Sequence, residues 1–544
     1  MYNFNTQATL HLNRTKFPLK GRTLTTFNMG ELVPIKYMEI LPGDTVNLKD
    51  LTFVMRTTHP LIKPIMDGMF INFYCFFVPT RLVDEHWEEI MGENKNGPWI
   101  KNKINYECPR LTPPSGGWEN NTIAGQLGFP TYKENFEVNR NIVSGYVQIW
   151  NDCFRDENLM NFAHLSMTGD LQGSNGSNYV TDAEKGGKLL PVCKKHDIFT
   201  SLIPEPQKGP DVFLPLGVSA PVITTQTINN VPGVENTPII YTTYDGNILT
   251  EAHNLKTDVN GRSIAQQEIV SGDFKYVTPA NLQVSLEHAT AASINQLRMA
   301  IALQQMYELD ARGGTRYIEI ILNHFGVRSD DARLQRAEYL GGKSIPIDIN
   351  QVIQSSASAD GSTPQGNMAG FSLTYDKDEY FTKSFKEHGY LYILCSVKQE
   401  HTYQNGLHPS ASRFKRTDFY DTIFENIGEQ PYYKRALDVT GDPNVDNKVL
   451  GYNEPWVDYK YLTNEVKGQF KSNDPRSLDI WHLGDEYEGE VSLGEDFIIE
   501  TKSNLDRVLT VPSSEQDQFI IDVSYEIPTV RVMTPHAVPG LKRL

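Results

Sequence analysis

Residues 67–82 read DGMFINFYCFFVPTRL, and Phe70, Ile71, Phe73, Tyr74, Phe76, Phe77 and Val78 crowd the stretch between Gly68 and Pro79. Aromatic and β-branched side chains suit a pleated strand. Apolar residues at both odd and even positions bury both of its faces. Two later stretches have a similar make-up. Residues 389–398 read GYLYILCSVK, and residues 519–533 place Ile520, Val523, Tyr525 and Ile527 ahead of Pro528. Strands this far apart in the chain, with few long helices between them, describe an all-β core with large insertions.

The rest of the chain reads as what surrounds that core. Residues 1–30 are polar and contain Arg14, Lys16, Lys20 and Arg22 without an acidic residue. They read as a basic extended arm, ordered by what it lies against. Pro42-Gly43-Asp44 marks a turn between extended segments. Residues 91–131 are loop, residues 141–160 read as a helix with Ile142, Tyr146, Ile149, Trp150 and Phe154 near one face, and residues 168–188 are expected to be mobile. Residues 211–279 are rich in Thr, Val, Ile, Pro and Asn, with no Lys or Arg from 221 to 250. A structureless loop of that length is improbable inside a compact domain, so the segment reads as a β-rich insertion projecting from the body. Residues 402–493 are irregular and aromatic-rich, and residues 531–544 form a second basic, acid-free terminus with Lys542 and Arg543.

Two helices are predicted between these regions. Ser293 and Gln296 form a capping box for a helix over 293–310, which Gly313-Gly314 stops, and Thr315 caps a second over 316–325, which Gly326 ends. The stretch that follows carries a resemblance. ARGGTRY from Ala311, HFGV from His324 and D-x-RLQR-x-EYLGG up to Gly342 occur in order. So do Leu41-Pro42-Gly43-Asp44-Thr45, Phe76-Phe77-Val78-Pro79-Thr80-Arg81-Leu82, Pro206-Gln207-Lys208-Gly209, Phe385-Lys386-Glu387-His388-Gly389, Ile427-Gly428-Glu429-Gln430, Tyr452-Asn453-Glu454-Pro455-Trp456 and Leu478-Asp479-Ile480-Trp481-His482. The ordered series resembles the major capsid proteins of the gokushovirus branch of the microviruses, small bacteriophages with single-stranded DNA genomes. That family often has Pro where this chain has Ala337, an exchange expected to remove nothing essential.

Composition bounds the alternatives. The chain has 544 residues, 39% hydrophobic, with a net charge of -17. Mean hydropathy is -0.41. Residues 70–78 form the longest apolar run, too short to cross a bilayer, and the start lacks the charged and apolar regions of a signal peptide. Cys75, Cys108, Cys153, Cys193 and Cys395 are dispersed, odd in number and without a CxxC pair, as expected of reduced thiols acting as small hydrophobes. The acidic balance excludes a protein whose whole surface binds nucleic acid, while allowing one basic face.

No cofactor or metal is expected, and catalysis finds little support. Gly342-Lys343-Ser344 lacks the first glycine of a phosphate loop, since Ala337 stands there, and reads as a Gly-Gly loop. Asp442-Pro443-Asn444-Val445-Asp446 has alternate oxygen ligands but Asn447 where a calcium loop needs Gly. There is no HExxH or GxSxG, the histidines are scattered, and Glu88-Glu89 is a solvated pair whose members point apart.

The resemblance implies a mainly β protein, a single eight-stranded antiparallel jelly roll with long insertions containing several helices and a β-rich surface protrusion. It implies self-assembly into a T=1 icosahedral shell around circular single-stranded DNA, in a virion built in the bacterial cytoplasm. Expected partners are further copies of the chain, a small basic DNA-packaging protein, an internal scaffolding protein, other virion proteins and a cell-surface receptor. Cations suited to face DNA are Arg14, Lys16, Lys20, Arg22, Arg413, Lys415, Arg416, Lys542 and Arg543. The insertion at 211–279 fits a threefold protrusion, with Thr225, Asn230, Tyr241, Tyr244, Asp245 and Asn247 facing the host. Tyr452, Trp456, Tyr459 and Tyr461 are candidates for contact between subunits. The competing readings are a β-rich polysaccharide hydrolase, which would need two carboxylates facing across a cleft, and a carbohydrate-binding β protein.

Overall fold

The computed structural model describes residues 13–93, 106–212, 294–314, 316–356, 365–487 and 489–536, together with short strands between 222 and 284. The chain divides into two compact units, one of Met1–Lys208 with Glu308–Leu544 and one of Gly209–Tyr307.

The first unit is built on ten strand segments: β1 (Thr15–Phe27), β2 (Val33–Ile40), β3 (Thr45–Leu48), β4 (Asp50–Thr57), β5 (Met69–Pro79), β6 (Glu338–Pro346), β7 (Thr374–Asp378), β8 (Phe381–Ser384), β9 (Gly389–Gln399) and β10 (Phe519–Arg531). They form two antiparallel sheets. In one, β10 lies between β1 and the pair β3 and β4, with β7 and β8 outside these; in the other the order is β2-β9-β5-β6. First and last strands of the chain are neighbours, and each sheet draws strands from both halves of the sequence, which is jelly-roll connectivity. Two strands are each interrupted at matching heights. Lys49 separates β3 from β4, and opposite it Glu379 and Tyr380 separate β7 from β8.

Alternation explains the packing. On β5, Met69, Ile71, Phe73, Cys75 and Phe77 enter the core between the sheets. Phe76 and Val78 point the other way, into a second core with Tyr390, Tyr392 and Leu394 of β9. That second core is closed by α1 (Asn141–Cys153) through Val143, Tyr146, Val147, Ile149 and Trp150. Its three large polar tips are bonded: the Tyr146 hydroxyl donates to Leu32 O (2.6 Å), the Trp150 indole to Pro191 O (2.6 Å) and the Tyr392 hydroxyl to Ile142 O (2.7 Å). A Cβ on Gly145 would collide with that Tyr392 hydroxyl, so this helix position needs glycine for close approach. On β10 the row Phe519, Ile521, Val523 and Ile527 enters the core, and Asp522 and Glu526 stand on the open face of the sheet.

Several local expectations change. Residues 15–27, read as an arm, are a full strand registered against β10 from Thr15↔Arg531 to Phe27↔Phe519. The helix at 141 ends at Cys153, because Asp156 Oδ1 accepts from the Asn158 and Leu159 amides (2.9 Å each) and fixes a turn instead. Residues 168–188 are packed rather than loose: Trp118 donates to Lys185 O (3.1 Å) and Asn175 to Gly117 O (2.9 Å). Gly341-Gly342 is no loop; it lies in β6 beyond a register shift at Tyr339/Gly341, and Lys343 pairs with Asp376 and Asp378 (2.6 Å each). Ala337 uses the amide that proline lacks, donating to Asp152 Oδ2 (2.8 Å). Helix α2 spans Ile294–Arg312 and α3 spans Tyr317–Phe325, the latter capped by Arg316, whose backbone N–H donates to Glu319 (3.0 Å). The predicted caps Ser293 and Thr315 lie outside the described residues.

In the second unit, the strands Tyr241–Thr243, Phe274–Pro279, Ile264–Gln267 and Leu255–Thr257 form an antiparallel sheet in that order, and Val222–Thr224 pairs with Leu282–Val284.

Candidate functional site: an aromatic surface and its charges

The region 402–493, irregular in sequence, is held by short 3-10 turns and a hairpin of Gln430–Tyr433 with Val449–Asn453. Tyr452 lies in that hairpin and exchanges backbone hydrogen bonds with Ile203 (2.8 and 3.0 Å). Trp456 follows at φ 64°, a left-handed conformation that a large side chain rarely adopts. The turn lays its indole against Tyr420 (5.8 Å) and Tyr459 (6.3 Å), and its buried Nε1 has no partner among the described residues. Arg413 locks the cluster. Its guanidinium donates to both Asp458 oxygens (2.7 and 2.8 Å) and lies over the rings of Tyr459 (4.5 Å) and Trp456 (5.6 Å).

Beside this cluster opens a cleft of about 510 Å³ lined by Leu407, Phe424, Ile427, Tyr433 and Trp456 among others. In the same stretch of chain, residues 414–462, large apolar side chains stand in solvent: Phe414 is 85% exposed, Ile423 80% and Leu462 89%. With Tyr420, Tyr459 and Tyr461, these exposures amount to roughly 800 Å² of surface, taking about 150–250 Å² for a whole side chain of this size. A monomer's largest apolar patch is typically about 300–600 Å², and one partner of a stable protein–protein contact offers about 800 Å².

The candidate DNA-facing cations have separate fates. Arg413 is spent on Asp458, while Lys415 and Arg416 are exposed. On the open face of the first sheet, Lys20 pairs with Glu526 (3.1 Å) and Arg22 with both oxygens of Asp522 (2.6 Å each). Arg14 and Lys16 on the same strand and its approach are exposed, with no ion pair among the described residues. Lys542 and Arg543 lie outside the described residues, as do Thr225, Asn230, Tyr244, Asp245 and Asn247; Tyr241 starts a strand and faces Pro279 in its register.

One polar centre is invisible to sequence spacing. Near the end of β9, His401 donates from Nδ1 to Asp485 (2.8 Å) and from Nε2 to Glu500 (3.1 Å), all three buried. Lys194 approaches the same Asp485 oxygen (3.4 Å), and Asn504 donates to the other (2.5 Å). Against the desolvation that alone would lower it, the two carboxylates raise the imidazole to about 9, and His401 with Lys194 holds Asp485 below the ordinary carboxylate range. Two cations balance two anions in a closed site, an arrangement that joins segments around 194, 401, 485 and 500 rather than one open to substrate.

Other chemistry resolves into structure. Asp442 caps the helix Pro443–Asp446, and Asp446 accepts from Thr440 N and Oγ1 (2.9 and 2.8 Å), so these oxygens serve a turn. Glu89 pairs with His86 (2.7 Å). Among the described residues no cluster of His, Cys, Asp and Glu could hold a metal, no helix is long and apolar enough to cross a membrane, and all five cysteines are free thiols.

A jelly roll with many exposed apolar side chains between residues 414 and 462, and with the charges of the Arg413 and His401 sites consumed in structure, defines a structural, shell-forming class of protein. Comparison agrees: residues 5–541 match the family described as capsid protein (F protein), and the chain belongs to that family. It is 37% identical to capsid protein VP1 of Spiroplasma virus 4, over 98% of this chain and 96% of that one. It is 38% identical to capsid protein VP1 of Bdellovibrio phage phiMH2K (99% and 97% covered) and 33% to that of Chlamydia phage 1 (99% and 98%). The chain is a major capsid protein, structural rather than enzymatic, and a component of the virion.

Proposed function

We propose that this chain builds a small T=1 icosahedral shell enclosing circular single-stranded DNA, assembled in the bacterial cytoplasm, and that the aromatic surface around Trp456 is a contact between copies. The observation that carries the reading is the roughly 800 Å² of exposed apolar side chain at Phe414, Tyr420, Ile423, Tyr459, Tyr461 and Leu462, as much as one partner of a stable interface offers. Among the described candidates, Arg14, Lys16, Lys415 and Arg416 are the cations left to meet phosphate, with Lys542 and Arg543 proposed beside them, and an acidic chain is served by a small basic packaging protein that supplies the remaining positive charge. A scaffolding protein and other virion proteins complete assembly. The segment 211–279 forms a protrusion at the threefold axes and meets a cell-surface receptor; its nearly cation-free, β-rich composition supports this.

Expression alone and with the neighbouring genes, followed by negative-stain electron microscopy, tests the assembly. Uniform small particles with surface knobs are expected. Dispersed small protein from both expressions would overturn it. Deleting residues 222–271 is expected to leave particles that attach poorly to cells; loss of all soluble protein would count against a separable protrusion.

A further inference from the structure

A second cleft, of about 590 Å³, opens where the end of β9 meets the segments 153–158, 193–203 and 311–319. Six cationic side chains line it: Arg155, Lys194, Lys195, Arg312, Arg316 and Lys398. Three of them turn to acids beyond the cleft wall, Lys194 to Asp485 (3.4 Å), Lys195 to Glu400 (2.9 Å) and Arg312 to Glu429 (2.5 Å). The other three remain with the cleft.

Lys398 is the decisive one. It continues the outward row of β9, after Tyr390, Tyr392 and Leu394, where every neighbour is buried. Its ammonium makes no hydrogen bond, ion pair or ring contact among the described residues, and burial, only partly offset by the more distant Cys193 and Glu500, holds it below the ordinary lysine range. An ammonium so placed costs stability unless an anion meets it. Arg155 is less isolated: one guanidinium nitrogen donates to Met160 O (2.9 Å) and the group lies over the Phe162 ring (5.6 Å), but its buried Nε has no partner among the described residues, and desolvation and neighbouring Arg316 oppose a charge that Glu157 and Asp156 favour. Arg316 reaches Glu157 (2.9 Å) and Glu319 (3.4 Å), and its Nη2 donates to the backbone oxygen of Arg155 (2.6 Å). Those two carboxylates hydrogen-bond one another, and Glu319 is pushed above the ordinary carboxylate range, first by desolvation, so together they bring less than their full charge. Asp156 is turned to the backbone, accepting from Asn158 and Leu159.

Three cations, Arg155, Arg316 and Lys398, and three carboxylates, Asp156, Glu157 and Glu319, therefore remain with the walled cleft, and of these cations Lys398 alone has no bonded partner among the described residues. We propose that this cleft binds a phosphate-bearing anion, with Lys398 and Arg155 as its two counter-charges and Arg316 at the edge. Two cations match the charge of a phosphate dianion. A cleft of about 590 Å³ falls within the range of small-molecule sites, about 300–1,000 Å³, and leaves room beside the phosphate for a nucleoside-sized substituent. The source is either free inorganic phosphate or a phosphate monoester such as a nucleoside monophosphate.

The test is calorimetric titration of the full chain with inorganic phosphate and, separately, with a nucleoside monophosphate, at fixed physiological ionic strength so that diffuse attraction is screened. Saturable binding of at least one is expected, weakened at least tenfold in Lys398→Met, a change of similar volume that folds without an unpaired charge. Arg155→Gln should weaken it by a similar factor, and Lys20→Gln, on the distant sheet face, should leave it unchanged. Near-UV circular dichroism identifies any variant that loses its packing. Preference for the monoester marks the nucleoside as part of the ligand, and equal binding marks the phosphate alone; both support the site. Absence of saturation with either anion, or Lys398→Met binding as the parent does, overturns it.

Discussion

Arg413–Asp458 and Arg22–Asp522 are closely similar chemical objects, an arginine donating to both oxygens of an aspartate at 2.6–2.8 Å, the first from Nη2 alone and the second as a fork from Nε and Nη2. Their surroundings are opposite. The first pair is 9% and 8% exposed beneath Tyr459 and Trp456; the second is 66% and 29% exposed on an open sheet face. Geometry alone does not rank them. Water screens the second pair and returns most of its solvation, whereas the first has given up solvation that only its partner replaces. The buried pair therefore fixes local structure, and the exposed one decorates a strand that backbone ladder bonds already hold.

The largest effect tests that ranking directly. Arg413→Met leaves Asp458 buried and unpaired and is expected to destabilise the chain by about 3–5 kcal/mol, read from the urea midpoint. Arg413→Met with Asp458→Leu should recover most of the loss, because burying no charge costs less than burying one. A single variant within about 1 kcal/mol of the parent would mean that Asp458 finds water, and the contrast with Arg22 would fail.

The His401 centre sharpens the comparison with pH. Its folded-state imidazole titrates at about 9 against 6.5 for the free residue. The raised value means that this contribution is fully present below about pH 6.5 and is lost as pH rises through about 9, a swing on the order of 3 kcal/mol. Asp485 works in the other sense, its contribution fading only in acid below the ordinary carboxylate range. The denaturation midpoint should fall between pH 6.5 and 9.5 in the parent. In His401→Gln it should start lower and stay flat over that window. A parallel fall in both would place the sensitive group elsewhere.

Much of the fold was legible because the strands at 67–82, 389–398 and 519–533 write their burial into their own side chains. The pairing of β1 with β10 was not, since Thr15–Phe27 has ordinary polar composition and its partner lies some 500 residues away. Gly341-Gly342 read as a break because glycine is scored as one; in the sheet it accommodates the bulge of β6. Of the residues proposed for contact between copies, Tyr459 and Tyr461 are exposed and Trp456 is half-buried beside Tyr459, but Phe414, Ile423 and Leu462, which expose more, sit among charged and polar residues and sent no signal. Charge was least legible of all. Sequence shows that Arg413 is cationic and not that Asp458 has taken it, and it scatters Lys194, His401, Asp485 and Glu500 over four segments that only the fold brings together.

A surface change should separate assembly from stability. Ile423→Asp with Leu462→Asp alters only solvent-facing side chains, so the unfolding midpoint should move by less than about 0.5 kcal/mol. Sedimentation of co-expressed material should nevertheless shift from particles to small species, because each aspartate would meet an apolar partner surface. Particles that form normally would show that this face is not a contact between copies.

The smallest effect belongs to the exposed fork. Lys20→Gln with Arg22→Gln removes two ion pairs from β1, yet thirteen residues of β1 remain in register with β10, and both cations already lie in water. No measurable change in midpoint is expected at physiological salt. The same variant bears on nucleic acid. These two charges are matched by Glu526 and Asp522, so their loss should alter packaged DNA little, whereas Arg14→Gln with Lys16→Gln removes cations with no such partner and should lower the nuclease-resistant DNA of purified particles. Equal losses from the two variants would mean that phosphate displaces the aspartate and glutamate from their forks, and that an exposed ion pair here holds a place for DNA rather than a strand.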